Sequence, residues 1–224
     1  MALEVETRDC TALSDSDVSE MADICADGSA GYDVGIISKH SGEWVLITRV
    51  HEGGTKLAGF AFSTLERIGG TPCVLIGLAS VKRGPRRDAV LRLLIGDQLR
   101  RAVLAFPDED VLVGTRLLDA AGFAAFDGLA DIVPRPGHKA SGEERAWGRR
   151  LAKRFGAEGR INDRTFVVTG LGDVPGALDH EAVDPSAVDA EMTVFVSELD
   201  PTRGDALIAF GWAMAEDLAA RASR

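Results

Sequence analysis

Several residue types and patterns are scarce in this 224-residue chain, and each scarcity closes off a class of function. Its three cysteines, Cys10, Cys25 and Cys73, are scattered and form no CxxC pair. Such a set makes neither a disulfide framework nor a thiolate metal centre. The four histidines, His40, His51, His138 and His180, share no ligand spacing, so no metal is expected. No apolar run approaches the roughly 20 residues that cross a bilayer, and no membrane partner is expected. The opening MALEVETRDC carries acids where a secretory signal carries a basic patch and an apolar stretch. A reducing, cytoplasmic location is the expectation. Positive charge is in deficit: 25 Lys and Arg against 35 Asp and Glu give a formal net charge of −10. Nucleic-acid binding rests on phosphate neutralisation, so a general nucleic-acid binder is excluded. There is no GxSxG elbow of a serine hydrolase. VTGLGDVPG, from Val168, has GxG-like spacing but no apolar helix after it, which a dinucleotide fingerprint needs. Tyrosine occurs once, at Tyr32.

What is present reads as a mixed α/β chain. Leu3 to Arg8 alternates apolar and polar residues, as a half-buried strand does. Ser14, with Asp17, predicts the start of a helix carrying Val18, Met21 and Cys25 at helical spacing. GSAGYDVG, Gly28 to Gly35, reads as a loop, with His40 in a loop beyond it. Trp44–His51, Lys56–Arg67 and Cys73–Val81 then read as strands separated by EGGT and by Gly69-Gly70, an antiparallel meander. The third strand is almost wholly apolar, which predicts burial on both faces. A helix over Asp88–Phe106 places Leu91, Leu94, Ile95, Leu99 and Ala102 on one face, and Pro107 stops it. Val111–Thr115 predicts a strand and Asp119–Leu129 a short helix. Ser141 and Glu144 stand at capping-box spacing before Trp147, Leu151 and Phe155, which recur every four residues on an amphipathic helix. In the last third, Thr165–Thr169 and Asp205–Gly211 predict strands and Ala213–Ala222 a terminal helix. The acidic stretch LGDVPGALDHEAVDPSAVDAE between them reads as loop with one helical turn, and VFV at 194–196 as an apolar strand docking back.

One stretch stands out against the acidic background. VKRGPRRDAVLRLL packs Lys82, Arg83, Arg86 and Arg87 into the turn before the long helix. Cations at a helix N-terminus oppose the macrodipole unless an anion offsets them. Either a polyphosphate sits there, or Asp88 caps its own helix and the arginines form a solvated surface.

The element order, with this turn at its centre, resembles the GNAT superfamily of acyl-CoA N-acyltransferases over roughly residues 3–130. The superfamily pattern is approximately V-x-P-x-x-R-G-x-G-x-G-x-x-L-L. Val81 matches its valine, Arg86 its arginine, and Leu94 and Ile95 its paired apolar positions; Ala121–Phe123 matches a later small-Gly-Phe element. The pyrophosphate loop is degenerate, because Arg87, Ala89 and Leu91 replace its three glycines. The resemblance implies a mixed, mostly antiparallel central sheet flanked by helices, in one GNAT-like domain over 1–224. The core would span about 3–130, and a C-terminal extension would complete or cover the sheet. It implies acetyl-CoA as acyl donor. Backbone at Leu78, Ala79, Ser80 and Val81 would hold pantetheine, and Arg83, Arg86, Arg87 and the amide of Ala89 would hold phosphates. The acceptor would be a small amine or an amino terminus. The strand acid and late tyrosine of the superfamily are missing, which leaves Glu66, Tyr32, Ser80 and Thr115 as the catalytic candidates. A second reading follows from the same departures: a GNAT-fold protein that has lost the coenzyme site and serves in binding or assembly. A homodimer through VFV and ALIAFGW would cover apolar strands. A third is different chemistry, or a different polyphosphate, in the same cleft.

Overall fold

The computed structural model describes residues 2–222. Among them the strands are β1 (Leu3–Asp9), β2 (Leu46–Glu52), β3 (Lys56–Ile68), β4 (Thr71–Val81), β5 (Val111–Leu117), β6 (Ala130–Val133), β7 (Val167–Val168), β8 (Leu178–Asp179) and β9 (Ala206–Ala213). The helices are α1 (Asp15–Cys25), α2 (Val34–Glu43), α3 (Arg87–Ala105), α4 (Gly142–Arg154), α5 (Ala190–Val196) and α6 (Ala215–Ala222). The strands form one mixed, mostly antiparallel sheet in the order β1-β2-β3-β4-β8-β5-β9-β6, with β7 also on β9.

The meander forms as its sequence predicts. Gly53-Gly54 and Gly69-Gly70 take positive φ at the two hairpins, which a side chain resists. β4 is buried from Pro72 to Val81, as its apolar composition requires. Ser14 and Asp17 form a reciprocal capping box on α1, and Ser141 and Glu144 form another on α4. α1 and α2 cover one face of the meander, packing Met21, Ile24 and Ile37 against Phe60, Phe62 and Leu78. α3 lies on the opposite face. A Cβ on Gly59 would stand 2.6 Å from Val90, so the helix and strand backbones need that glycine to approach so closely.

Two local readings are corrected. Residues 34–43 are helix, not loop: Asp33 accepts from the Ile36 amide at 2.8 Å, and Ile37 and His40 are buried. Two glycines and two serines give this segment poor helix propensity, and tertiary burial overrides it. VFV belongs to α5, where Phe195 packs against Phe123 with ring centroids 6.4 Å apart. Its β-branched residues favour a strand only where a strand partner exists. ALIAFGW is β9, hydrogen-bonded between β5 and β6. It is an interior strand, so it offers no bare edge for a dimer.

Candidate functional site

β4 and β5 run parallel for three residue pairs, Cys73–Leu112, Val74–Val113 and Leu75–Gly114. Thr115 Oγ1 then donates to the Ile76 carbonyl at 2.9 Å, and beyond that link the strands part. Two parting strands in a core expose backbone groups that must find partners. The chain supplies its own. β8 enters the gap, with Leu178 opposite both Ala79 and Leu117, and Asp179 opposite Ser80. The Ala79 amide donates to the Ala177 carbonyl at 3.1 Å. Leu178 is fully buried, so the gap is filled by an apolar side chain as well as by backbone.

The basic turn meets the same segment. Arg83 donates to Asp179 at 2.9 Å and stands 3.4 Å from Glu181. Arg87 Nε donates to the Glu181 carbonyl at 2.6 Å, and its Nη2 to the Ala182 carbonyl. Arg86 pairs with Glu52 on the neighbouring hairpin. Asp88 does not cap α3. Its carboxylate accepts from the Val183 amide at 3.1 Å and meets His180 Nε2 at 3.2 Å. Arg86 is the N-cap residue, with no side-chain capping bond, and Ala89 stands in the first turn. Burial holds the His180 imidazole below its ordinary pKa of 6.5. The Asp88 carboxylate pulls it up, and Arg83 and Arg87 push it further down. The three arginines of the turn are therefore answered by acids and carbonyls of this chain, and the segment 179–183 lies where the resemblance would put a pyrophosphate.

The loop after α1 holds the other side of β8. The Ser29 hydroxyl donates to Asp179 Oδ1 at 2.8 Å. A Cβ on Gly28 would fall 2.2 Å from Asp179 Oδ2, so the carboxylate rests where only glycine leaves room. Tyr32 is 1% exposed. Its hydroxyl lies 2.9 Å from the Ala177 carbonyl and 3.1 Å from that of Pro175, and accepts from the Ala177 amide at 3.1 Å. Burial raises its pKa, so the phenol stays protonated. Of the four catalytic candidates, Tyr32, Ser80 and Thr115 are thus buried beside the filled gap. Glu66 is held apart in an ion pair with Arg154, whose Nη2 stands 2.8 Å from it. Leu78, Ala79 and Val81 are buried in β4.

A cavity of about 630 Å³ opens on the α2 and α4 side of the sheet. Its walls come from Trp44, from Arg116 on β5, from Phe155 after α4, and from residues 173–176, which lead into β8. Gly176 is required here, since a Cβ would stand 2.2 Å from the His40 ring. Burial holds His40 below its ordinary pKa of 6.5, with Glu43 opposing that shift. Arg116 is 9% exposed and carries its guanidinium over the Phe155 ring, 5.1 Å from the centroid. Burial lowers its pKa to about 10, so it remains charged at neutral pH. Among the described residues no carboxylate pairs with it. Nη1 reaches the Phe155 carbonyl at 3.4 Å, and Nε has no partner.

Sequence reasoning missed Arg116, Asp179 and His180. Only one signal pointed to the last two: the acidic run 179–184 complements the basic turn in charge. Arg116 lies one residue beyond the strand read over Val111–Thr115, and the observed strand runs on through it to Leu117.

No family model matches the chain, and no curated protein matches it. Among solved structures it is similar to the ribosomal-protein-S18-alanine N-acetyltransferase from Escherichia coli. The identity is 14% and the TM-score 0.45, over 94% of this chain and 95% of that one. It is similar to Naa20 of Chaetomium thermophilum, solved in complex with a bisubstrate analogue, at 15% identity and a TM-score of 0.45, over 96% of this chain and 89% of that one. It is also similar to Escherichia coli ElaA, at 16% identity and a TM-score of 0.39, over 61% of this chain and 95% of that one. At such identities and scores the likeness says nothing of what this chain binds or catalyses.

Proposed function

We propose that this protein is a small-molecule-binding protein on a GNAT-like fold, not an acyl-CoA-dependent N-acyltransferase. The observation that carries the reading is residues 177–183. They take the backbone partners on β4 that pantetheine would need, and the Arg83 and Arg87 contacts that phosphates would need. The GNAT resemblance would put the thioester in the gap between β4 and β5, and Leu178 fills that gap. The segment is fitted rather than laid on: Gly28, Ser29 and Tyr32 each accommodate or bind one of its residues. The open cavity on the far side has the size and the mixed apolar and polar lining of a small-molecule site.

Calorimetric titration of the full chain with acetyl-CoA and with CoA tests this. The expected result is no binding up to millimolar ligand and no acyl transfer to amines. Micromolar, salt-sensitive binding that weakens when Arg83 and Arg87 are replaced by alanine would overturn it. Residues 177–183 would then be a displaceable plug, and acetyl transfer to a small amine or amino terminus would be the function.

A further inference from the structure

We infer that the cavity beside Arg116 binds a small organic anion, an oxyanion group carried on an apolar body, with the Arg116 guanidinium as its counter-charge. This deepens the binding reading above by naming a ligand class.

The argument begins with a buried charge. Taking a guanidinium out of water is strongly unfavourable unless a carboxylate or a full set of hydrogen bonds replaces the lost hydration. Arg116 has one long bond to a carbonyl, a ring beneath it, and an Nε with no partner. Among the described residues the nearby acids form no ion pair with it, and Glu43 attracts it only through space. Glu66 pairs with Arg154. Glu43 is half exposed and lies 3.2 Å from His40. Arg160, also on the cavity wall, gives its donors to the carbonyls of Thr169 and Gly156 and adds a second positive charge beside Arg116. With Arg154 and Glu66 neutralising each other, Lys39, Arg116 and Arg160 face Glu43 and Asp173 around the cavity. A site of positive balance is thus built into a chain whose formal net charge is −10. An arginine fork matches a carboxylate or phosphate through parallel hydrogen bonds, and an anion in the cavity, met by the terminal Nη groups, would supply the counter-charge that the guanidinium lacks. The rest of the wall selects the body of the ligand. Trp44 and Phe155, with ring centroids 6.2 Å apart, and Val174 and Pro175 offer apolar surface.

The test uses the full chain with benzoate, phenyl phosphate, inorganic phosphate and neutral benzamide as probes, read by thermal shift and calorimetry. Benzoate or phenyl phosphate is expected to raise the melting temperature and to bind at least about tenfold tighter than benzamide. The tighter of the two identifies the oxyanion as carboxylate or phosphate, and inorganic phosphate, lacking the apolar body, binds more weakly than either. Arg116→Met is expected to abolish the difference between benzoate and benzamide, and to leave the ligand-free melting temperature unchanged or raised. Equal affinity for benzoate and benzamide, or no shift with any probe at tens of millimolar, overturns the inference. So does a ligand-free Arg116→Met chain that melts lower or fails to fold, since the arginine would then be structural. Acyl-CoA binding, by contrast, would sink only the preceding reading, because the benzoate comparison needs neither the β4–β5 gap nor the basic turn.

Discussion

His180 shows at the scale of one residue how the filled gap depends on solution conditions. Burial depresses its pKa, and that of His40, below 6.5 in the folded chain. Below that pH the unfolded chain binds more protons than the folded one, so stability rises with pH across this window. The stability is fully present above about pH 6.5 and is lost as pH falls toward the depressed folded pKa values. Urea unfolding followed at about pH 7.5 and about pH 5.5 should give a lower midpoint at the acid end. His180→Gln should flatten part of that dependence. An unchanged slope in the variant would mean that another group carries it. The carboxylates do not compete in this window. Glu144, held down to about 2 despite its partial burial by bonds from Ser141 and His138, loses its contribution only at more acid pH.

The element on which the proposed reading turns is β8, two residues long. So short a strand has no stability of its own, and its place is fixed by what surrounds it. Gly28 is the most sensitive of those surroundings, since its missing side chain is the space that Asp179 occupies. Gly28→Ala should cost about 1–3 kcal/mol through that overlap. It should also raise amide exchange at Ala177–Val183 more than in the meander, measured by hydrogen exchange. Equal protection of the segment in both proteins would mean that the carboxylate simply rotates away, and that β8 is held by backbone alone. The cation-rich turn belongs to the same assembly. Its arginines, a puzzle at a helix N-terminus, are offset by Asp179, Glu181 and Glu52. Asp88 reaches outward to the Val183 amide instead of capping its helix.

At the scale of the whole molecule, β9 makes the C-terminal third indispensable. It lies antiparallel to β5 along seven residues and carries β6 and β7 besides. Residues 1–133 alone would leave β5 with a bare edge and would remove the buried side chains of Ile208 and Phe210 from the core. That fragment should aggregate or lack a cooperative melt, whereas the full chain should unfold in a single transition by circular dichroism. A soluble, cooperatively folded fragment would show that the resembling stretch is a unit in its own right.

The sequence by itself determined the elements whose signals are local. Alternation and paired glycines gave the meander. The Ser14 and Ser141 boxes set two helix starts, and the four-residue recurrence of Trp147, Leu151 and Phe155 set the buried face of α4. The run of cations was legible too, though not what answers it. Only the tertiary structure decided that answer, because the partners of Arg83 and Arg87 lie about a hundred residues away in a stretch with no period of its own. α2 and α5 escaped for a related reason: α2 has poor propensity and is held by burial of Ile37 and His40, and the β-branched end of α5 is held by packing of the half-buried Phe195 on Phe123. Arg116 was illegible for the plainest reason. A strand arginine looks the same whether it faces water or a cavity, and only the packing of α4, α2 and residues 173–176 around β5 encloses it.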